Sequence, residues 1–409
     1  MSVDKKVPKI RFKGFSDEWK TSQLSELALF NPKSELPESF KYVDLECVKG
    51  TSLTGYQVES RDSAPSRAQR LAKKGDVFYQ TVRPYQKNNY LFHGVENEYV
   101  FSTGYAQLRP YFNGNFLLNL IQRDLFVKDV LNNCTGTSYP AINASTLATL
   151  GVSYSESEVE QTQIGNYFQK LDMLINQHEQ KHNKLSSIKK AMLEKMFPKP
   201  GEIVPEIRFK GFSGEWVHIT IGDCSTLITK GTTPMTIGKT FVDRGITFVK
   251  VECIDEIGNL NPAKFAYIDN ETDQALARSR IKENDLLVSI AGALGRAAIV
   301  KKEILPANTN QALAIVRLKN DSPIVINFLY HFTKSRDFKE FVDETASQGA
   351  QPNLSLGDIS KLRILAPKKE EQTAIGNYFH KLDALINQHQ QQITKLINIK
   401  QACLSKMFV

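Results

Sequence analysis

The sequence contains no apolar run close to the roughly 18 residues that a membrane-spanning helix needs. Its opening residues, MSVDKKVPKIRFKGF, also lack the apolar centre of a signal peptide. No membrane partner is expected, and the expected compartment is the cytoplasm. Cysteine is scarce. Cys47, Cys134, Cys224, Cys253 and Cys403 are odd in number and never stand at C-x-x-C spacing, which argues against a disulfide framework or a zinc ribbon. Concentrated charge is missing as well: the formal net charge is +8, yet residues 21–150 and 217–365 carry +1 each. Bulk charge alone therefore makes no case for nucleic acid; only clustering on one face would.

Catalytic signatures are equally absent. There is no G-x-S-x-G elbow, no glycine-rich dinucleotide loop after a strand and no Asn-Pro-Pro-aromatic tetrapeptide of an amino-methyltransferase. Thr233–Thr240 approaches a P-loop, but Thr233 stands where the first glycine is required. His178-Glu-Gln-Lys-His182 matches H-E-x-x-H. No third ligand is evident, and a second copy of the stretch reads His389-Gln-Gln-Gln-Ile393, so the match is read as a helical coincidence. No bound metal or cofactor is expected, and the chain is expected to catalyse nothing.

What the sequence does contain is duplication. Ile164–Phe197 and Ile375–Phe408 agree at 23 of 34 positions at a constant shift of 211. A second tag, VPKIRFKGFSDEW at Val7–Trp19, returns at Val204–Trp216 with 11 of 13 positions identical and a shift of 197. The order is tag, variable segment, helix, repeated once. Each long stretch has a heptad seam: Leu171, Leu174, His178, Lys181, Leu185, Ile188 and Met192 in the first, and Leu382, Leu385, His389, Gln392, Leu396, Ile399 and Cys403 in the second. No Gly or Pro interrupts either after Ile-Gly, so each predicts a helix of about 30 residues, roughly 45 Å. Two matching seams with polar centres predict an antiparallel pair held in register by those polar layers.

The variable segments share little identity but keep landmarks in one order. Tyr42–Val48 against Phe248–Ile254 predicts strands, Lys74–Gln80 against Glu283–Ser289 a turn into a buried strand, and Ala106–Arg109 against Ala314–Arg317 another strand. Asn115–Leu117 and Asn327–Leu329 open helices, and Ser138–Asn143 against Ala350–Ser355 closes each segment. The expected fold class is α+β: two similar mixed α/β domains separated by two long helices in an antiparallel coiled coil, with internal pseudo-twofold symmetry. The expected boundaries are 1–157 for the first tag and domain, 158–199 for the first helix, 200–367 for the second tag and domain, and 368–409 for the second helix.

Several stretches suit contact with DNA. Arg67, Arg70, Lys73 and Lys74 fall within two helical turns with no acid among them, a pattern that fits phosphates. Arg83, Tyr85, Gln86, Lys87, Asn88 and Asn89 place base-edge side chains beside an aromatic in a loop. The second-domain candidates are Lys230, Thr232, Thr233, Arg278, Arg280, Arg296, Gln348, Gln351 and Asn353. A solvated face or turn chemistry would account for the same residues.

With these parts in place the chain resembles a specificity (S) subunit of a type I restriction-modification system. The resemblance is carried by the two Ile-Gly-Asn-Tyr-Phe-x-Lys-Leu-Asp helices, by Gly231-Thr-Thr-Pro234 with Phe248-Val-Lys250, and by Gln351-Pro-Asn-Leu-Ser355. Tyr139-Pro-Ala-Ile142 departs from the last of these. The resemblance implies two target-recognition domains that each read half of an asymmetric bipartite site in double-stranded DNA. It implies helices that space them, and docking of two methyltransferase (M) and two restriction/translocase (R) subunits. S-adenosylmethionine, ATP and magnesium would belong to those partners. The rival expectation is a coiled-coil scaffold or adaptor that never meets DNA.

Overall fold

The computed structural model describes residues 6–136, 138–346 and 352–409. The chain divides into two compact units, residues 1–181 with 389–409 and residues 182–388, so the division falls inside the long helices.

In the first unit, one four-stranded sheet runs in the order Ala28–Phe30, Tyr105–Pro110, Val77–Gln80, Tyr90–Leu91, antiparallel throughout. A second runs Gln57–Ser60, Ser39–Val43, Tyr99–Ser102, Ala68–Leu71, with its central pair parallel. In the second unit the corresponding orders are Ser225–Lys230, Leu313–Leu318, Leu286–Ser289, Ala297–Ile299 and Ala266–Ile268, Ile246–Val249, Ala307–Thr309, Arg280–Ile281, again with the central pair parallel. One topology is thus built twice from diverged sequences.

The paired landmarks have a common physical reason. Val77–Gln80 and Leu286–Ser289 are buried at every position, so neither strand alternates. Each follows a left-handed residue, Gly75 (φ 92°) or Asn284 (φ 66°), and a buried aspartate. Asp76 is gripped by both Nε and Nη2 of Arg109 at 2.8 and 2.9 Å, and Asp285 by the same atoms of Arg317 at 2.8 and 2.7 Å. Each carboxylate also accepts a turn N–H, from Lys73 or Lys282. The tags dock in parallel ways: Arg11 pairs with buried Glu160, Arg208 with buried Glu371, and Trp19 and Trp216 are both buried.

The long helices, Glu158–Lys195 and Lys369–Lys406, hold 38 residues each, about 57 Å at 1.5 Å per residue. Both start six residues before the duplicated Ile-Gly, with acids in the first turn and lysine in the last, the placement that the helix dipole favours. Within the first unit Asp172 pairs with Lys400 and His178 meets His389, so residue numbers rise on one helix as they fall on the other. Within the second unit Lys189 pairs with Asp383, and the Phe197 and Phe379 rings stack 6.3 Å apart. The helices pair antiparallel. Their Met-Phe ends plug the cores: Phe408 packs on Trp19 and Phe168, and Phe197 on Trp216 and Phe328.

The seam is out of phase with the expected one at alternate positions. Lys181, Leu385 and Gln392 are exposed and Leu174 is only half-buried, whereas Ile188 packs on the second unit's core with Leu185 and Met192. The buried positions are Ile164, Phe168, Leu171 and Ile175 on the first helix, and Ile375, Phe379, Leu382, Ile386 and Ile393 on the second. His178, Leu185, Met192, His389, Leu396, Ile399 and Cys403 remain half-buried. Adjacent apolar pairs, Leu174-Ile175 and Leu385-Ile386, satisfy either phase locally. The phase is set by Ile164/Phe168 and Ile375/Phe379, which sit in the cores.

Two predicted elements also change. The strands expected through Tyr42–Val48 and Phe248–Ile254 stop at Val43 and Val249. Asp44 Oδ1 accepts the N–H groups of Glu46 and Cys47 and turns the chain, while Val251–Cys253 closes a 3₁₀ turn. The basic stretch around Arg67–Lys74 is not helical: Ala68–Leu71 is a strand.

Candidate nucleic-acid interface

In the first unit the hairpin Val77–Gln80 to Tyr90–Leu91 projects the loop 81–89. Pro84–Gln86 forms a 3₁₀ turn between two left-handed residues, Arg83 (φ 53°) and Lys87 (φ 55°). Side chains with Cβ enter that region at a cost of order 1–3 kcal/mol, and such strain gathers at functional loops. The closing segment clips the loop in place. Ile142 N–H donates to Thr81 O at 3.0 Å, Arg83 N–H to Pro140 O at 2.8 Å, and Val82 bridges Ala141. The Arg83 guanidinium lies 4.4 Å over the Tyr139 ring, whose residue is 64% exposed. Stacking holds the planar cation while leaving its edge N–H groups able to donate.

The expected loop residues divide. Tyr85 and Gln86 are exposed, with Gln86 Oε1 accepting from Gln80 Nε2 at 2.8 Å. Lys87 pairs with Asp124, and Asn88 Oδ1 accepts from Gly50 N–H at 2.8 Å. Asn89 is 1% exposed and its Oδ1 accepts from Gln80 N–H, so it faces inward and leaves the candidate surface. Tyr139, which opens the segment that departs from the Gln351-Pro-Asn-Leu pattern, joins that surface. Its equivalence with Gln351 was legible, but its stacking partner was not.

The four cations Arg67, Arg70, Lys73 and Lys74 do not share one helical face. The strand Ala68–Leu71 shifts register against Phe101/Ser102 and buries Ala68 and Leu71; Arg67 before it is exposed, while Arg70 is half-buried with its Nε unpartnered, and burial lowers its pKa. Lys73 and Lys74 are exposed in the turn before Asp76.

The second unit repeats the clip. Leu354 N–H donates to Ile290 O at 2.9 Å, and Ala291 bridges exposed Asn353 beside the loop 290–296. Arg296 ends that loop, its Nη1 donating to Ile254 O at 3.1 Å and its Nη2 lying 3.9 Å from Glu256. Lys230 is exposed at a strand end, and Thr232 and Thr233 are half-buried, with Thr233 Oγ1 donating to Gln311 Oε1 at 2.6 Å. Gly231 between them is irreplaceable: a Cβ there would lie 1.8 Å from Thr309 O. Arg278 is exposed, whereas Arg280 is spent on Asp273 at 2.6 Å. Gln348 and Gln351 lie outside the described residues.

The two units thus share one topology, and each presents a clipped loop pair with different side chains. Residues 214–398 match the family described as the type I restriction modification DNA specificity domain. Over 169 residues, 40% of this chain, it is 28% identical to the specificity subunit of the Escherichia coli type I restriction enzyme EcoBI; that match spans 35% of the EcoBI subunit. A putative MjaX specificity subunit from Methanocaldococcus jannaschii is 24% identical over 317 residues, covering 76% of this chain and 70% of that protein. The crystal structure of the type I restriction-modification S subunit from M. genitalium shares the fold, with a TM-score of 0.66, 15% identity and coverage of 98% and 99%. A chain from a study of complex assembly and conformational transition in the type I system gives 0.51 at 20% identity, covering 95% and 97%. By these matches the chain is similar to type I restriction-modification specificity subunits, and residues 214–398 match the DNA specificity domain of that family.

Proposed function

We propose that each unit reads one half of a bipartite duplex DNA site through its clipped loops, and that the paired helices set the count of unread base pairs between the halves. The observation that carries this reading is the same backbone clip built twice, Val82 on Ala141 and Ala291 on Asn353, with Arg83 and Tyr139 at one and Arg296 and Asn353 at the other. A shared frame with different side chains is what two readers of different sequences need, because base edges are distinguished by the donors and acceptors offered to them. Two methyltransferase and two restriction subunits would dock on this chain and supply the chemistry, with S-adenosylmethionine, ATP and magnesium held by them. Near-neutral segments leave part of the phosphate clamp to those partners, so the chain alone binds DNA weakly.

The test is sequencing of methylated adenines in a host that carries the methyltransferase subunit with and without this chain. A bipartite motif that appears only with the chain supports the reading. Methylation indifferent to the chain, with the chain still bound to protein partners, leaves an adaptor instead.

A further inference from the structure

The second unit holds a cleft of about 640 Å³ between the end of the first long helix, the start of the second and the junction of helices Ile326–Phe332 and Arg336–Ala346. Six cations line it: Lys189, Lys190, Lys199, Lys334, Arg336 and Lys339. Among the described residues Glu194 and Asp383 are the acids on the wall, Asp383 is committed to Lys189, and Lys199 and Arg336 pair with Glu206 and Glu340 beside it. Lys190 and Lys339 make no ion pair among the described residues. Lys334 is half-buried, with Nζ 3.4 Å from Ala297 O and 5.2 Å over the Tyr330 ring, and no carboxylate among the described residues lies within ion-pair distance.

The first unit shows that the scaffold does not demand this charge. Asp172 and Lys400 are the duplicates of Asp383 and Lys189, and they line a cleft of about 330 Å³. There the duplicate of Lys190 is Gln401, and counting from the paired Asn115 and Asn327, the counterpart of Lys334 is Gln122; the counterpart of Arg336, Asp124, lines a neighbouring concavity. Unit two has therefore put lysine where unit one keeps glutamine, at the walls of one concavity. Burial, and then the neighbouring Lys189, push the Lys334 ammonium down to about 8 against the opposing pull of Asp383 and Asp255, and an anion beside it would favour its charged form.

We propose that this cleft binds a polyphosphate group, free or carried by a nucleotide. Its volume is that of an ordinary small-molecule site. Leu193, Ile257 and Ile386 on the wall offer apolar surface to a base. The concave shape and half-buried Lys334 favour an anion that enters over a duplex that lies across.

Calorimetric titration of the full chain with inorganic triphosphate, and separately with ATP, tests this without added metal. Saturable binding at about one site is expected. Tighter binding of ATP would assign a role to the base, and equal affinity would assign recognition to the phosphates alone. Lys190→Gln/Lys334→Gln, which installs the first unit's residues at matching places, should weaken binding about tenfold or more with an unchanged melting temperature. Lys190→Gln alone, at an exposed position, should weaken it several-fold and guards against misfolding of the double variant. No binding by the wild-type chain at millimolar triphosphate, an unchanged affinity in the variants, or displacement of triphosphate by stoichiometric duplex DNA would overturn the proposal.

Discussion

The Nδ1 atoms of His178 and His389 lie 2.9 Å apart in the first unit. Because 389 is the duplicate of 178, this is the contact of a position with its own copy, which an antiparallel pair of repeats must contain once. One ring must donate and the other accept there, a demand that two apolar side chains would not make. Replacing both with leucine should raise thermal stability by roughly 1–2 kcal/mol, while loosening the register that a polar layer enforces. A lower melting temperature in the double variant would show that the imidazole pair is worth more than this argument allows.

The pairs Arg109–Asp76 and Arg317–Asp285 bury a carboxylate that is 1% exposed in each unit. Removing one partner strands the other's charge, so Arg109→Ala and Arg317→Ala should each cost about 3–5 kcal/mol. Hydrogen exchange read unit by unit should place the loss in residues 6–181 and 389–409 for the first variant and in 182–388 for the second. Equal loosening of both units by either variant would contradict the duplicated, self-contained role assigned to these pairs.

His331 supplies a pH test. Burial, with Lys189, Lys334 and His380 adding repulsion, pushes its pKa down to about 3, so the folded ring stays neutral where an unfolded one, near 6.5, takes a proton. The unfolded state then binds more protons than the folded one between those values. Stability present above about pH 6.5 is therefore lost as the pH falls toward 3, with a slope of at most about 1.4 kcal/mol per unit. His331→Asn, matching Asn119 of the first unit, should flatten that slope relative to the wild type in chemical denaturation at pH 4.5, 5.5 and 7. Identical slopes would mean that His331 is charged in the fold.

The helices carry their own prediction. Deleting one matching heptad from each removes about 10 Å of helix, the rise of about three base pairs. The spacer of the methylated motif should shorten or assembly should fail, with both half-site sequences unchanged. A changed half-site would break the assignment of spacing to these helices.

The duplication, the antiparallel pairing and the strand landmarks were legible because they rest on positions where packing dictates residue type: the Asp76 and Asp285 turns, the buried strands after them, and the Asn143 and Ser355 N-caps. Seam phase was not legible, since Leu174-Ile175 and Leu385-Ile386 fit two registers and only the distant core anchors choose. The basic stretch misled for a related reason: Arg67 and Arg70 stand one helical turn apart in sequence, but the chain is a strand paired with Tyr99–Ser102, and it leaves Arg67 exposed and Arg70 half-buried. Asn89 resembles its neighbours in composition, and only the fold turns it inward. The Arg83–Tyr139 stack joins residues 56 apart, a distance that no local pattern spans.

The most direct measurement replaces residues 217–365 with the corresponding segment of another specificity subunit and maps the adenines then methylated. One half of the bipartite motif should change, with the other half and the spacer retained. A motif altered in both halves, or in neither, would contradict the account of two independent readers on one chain.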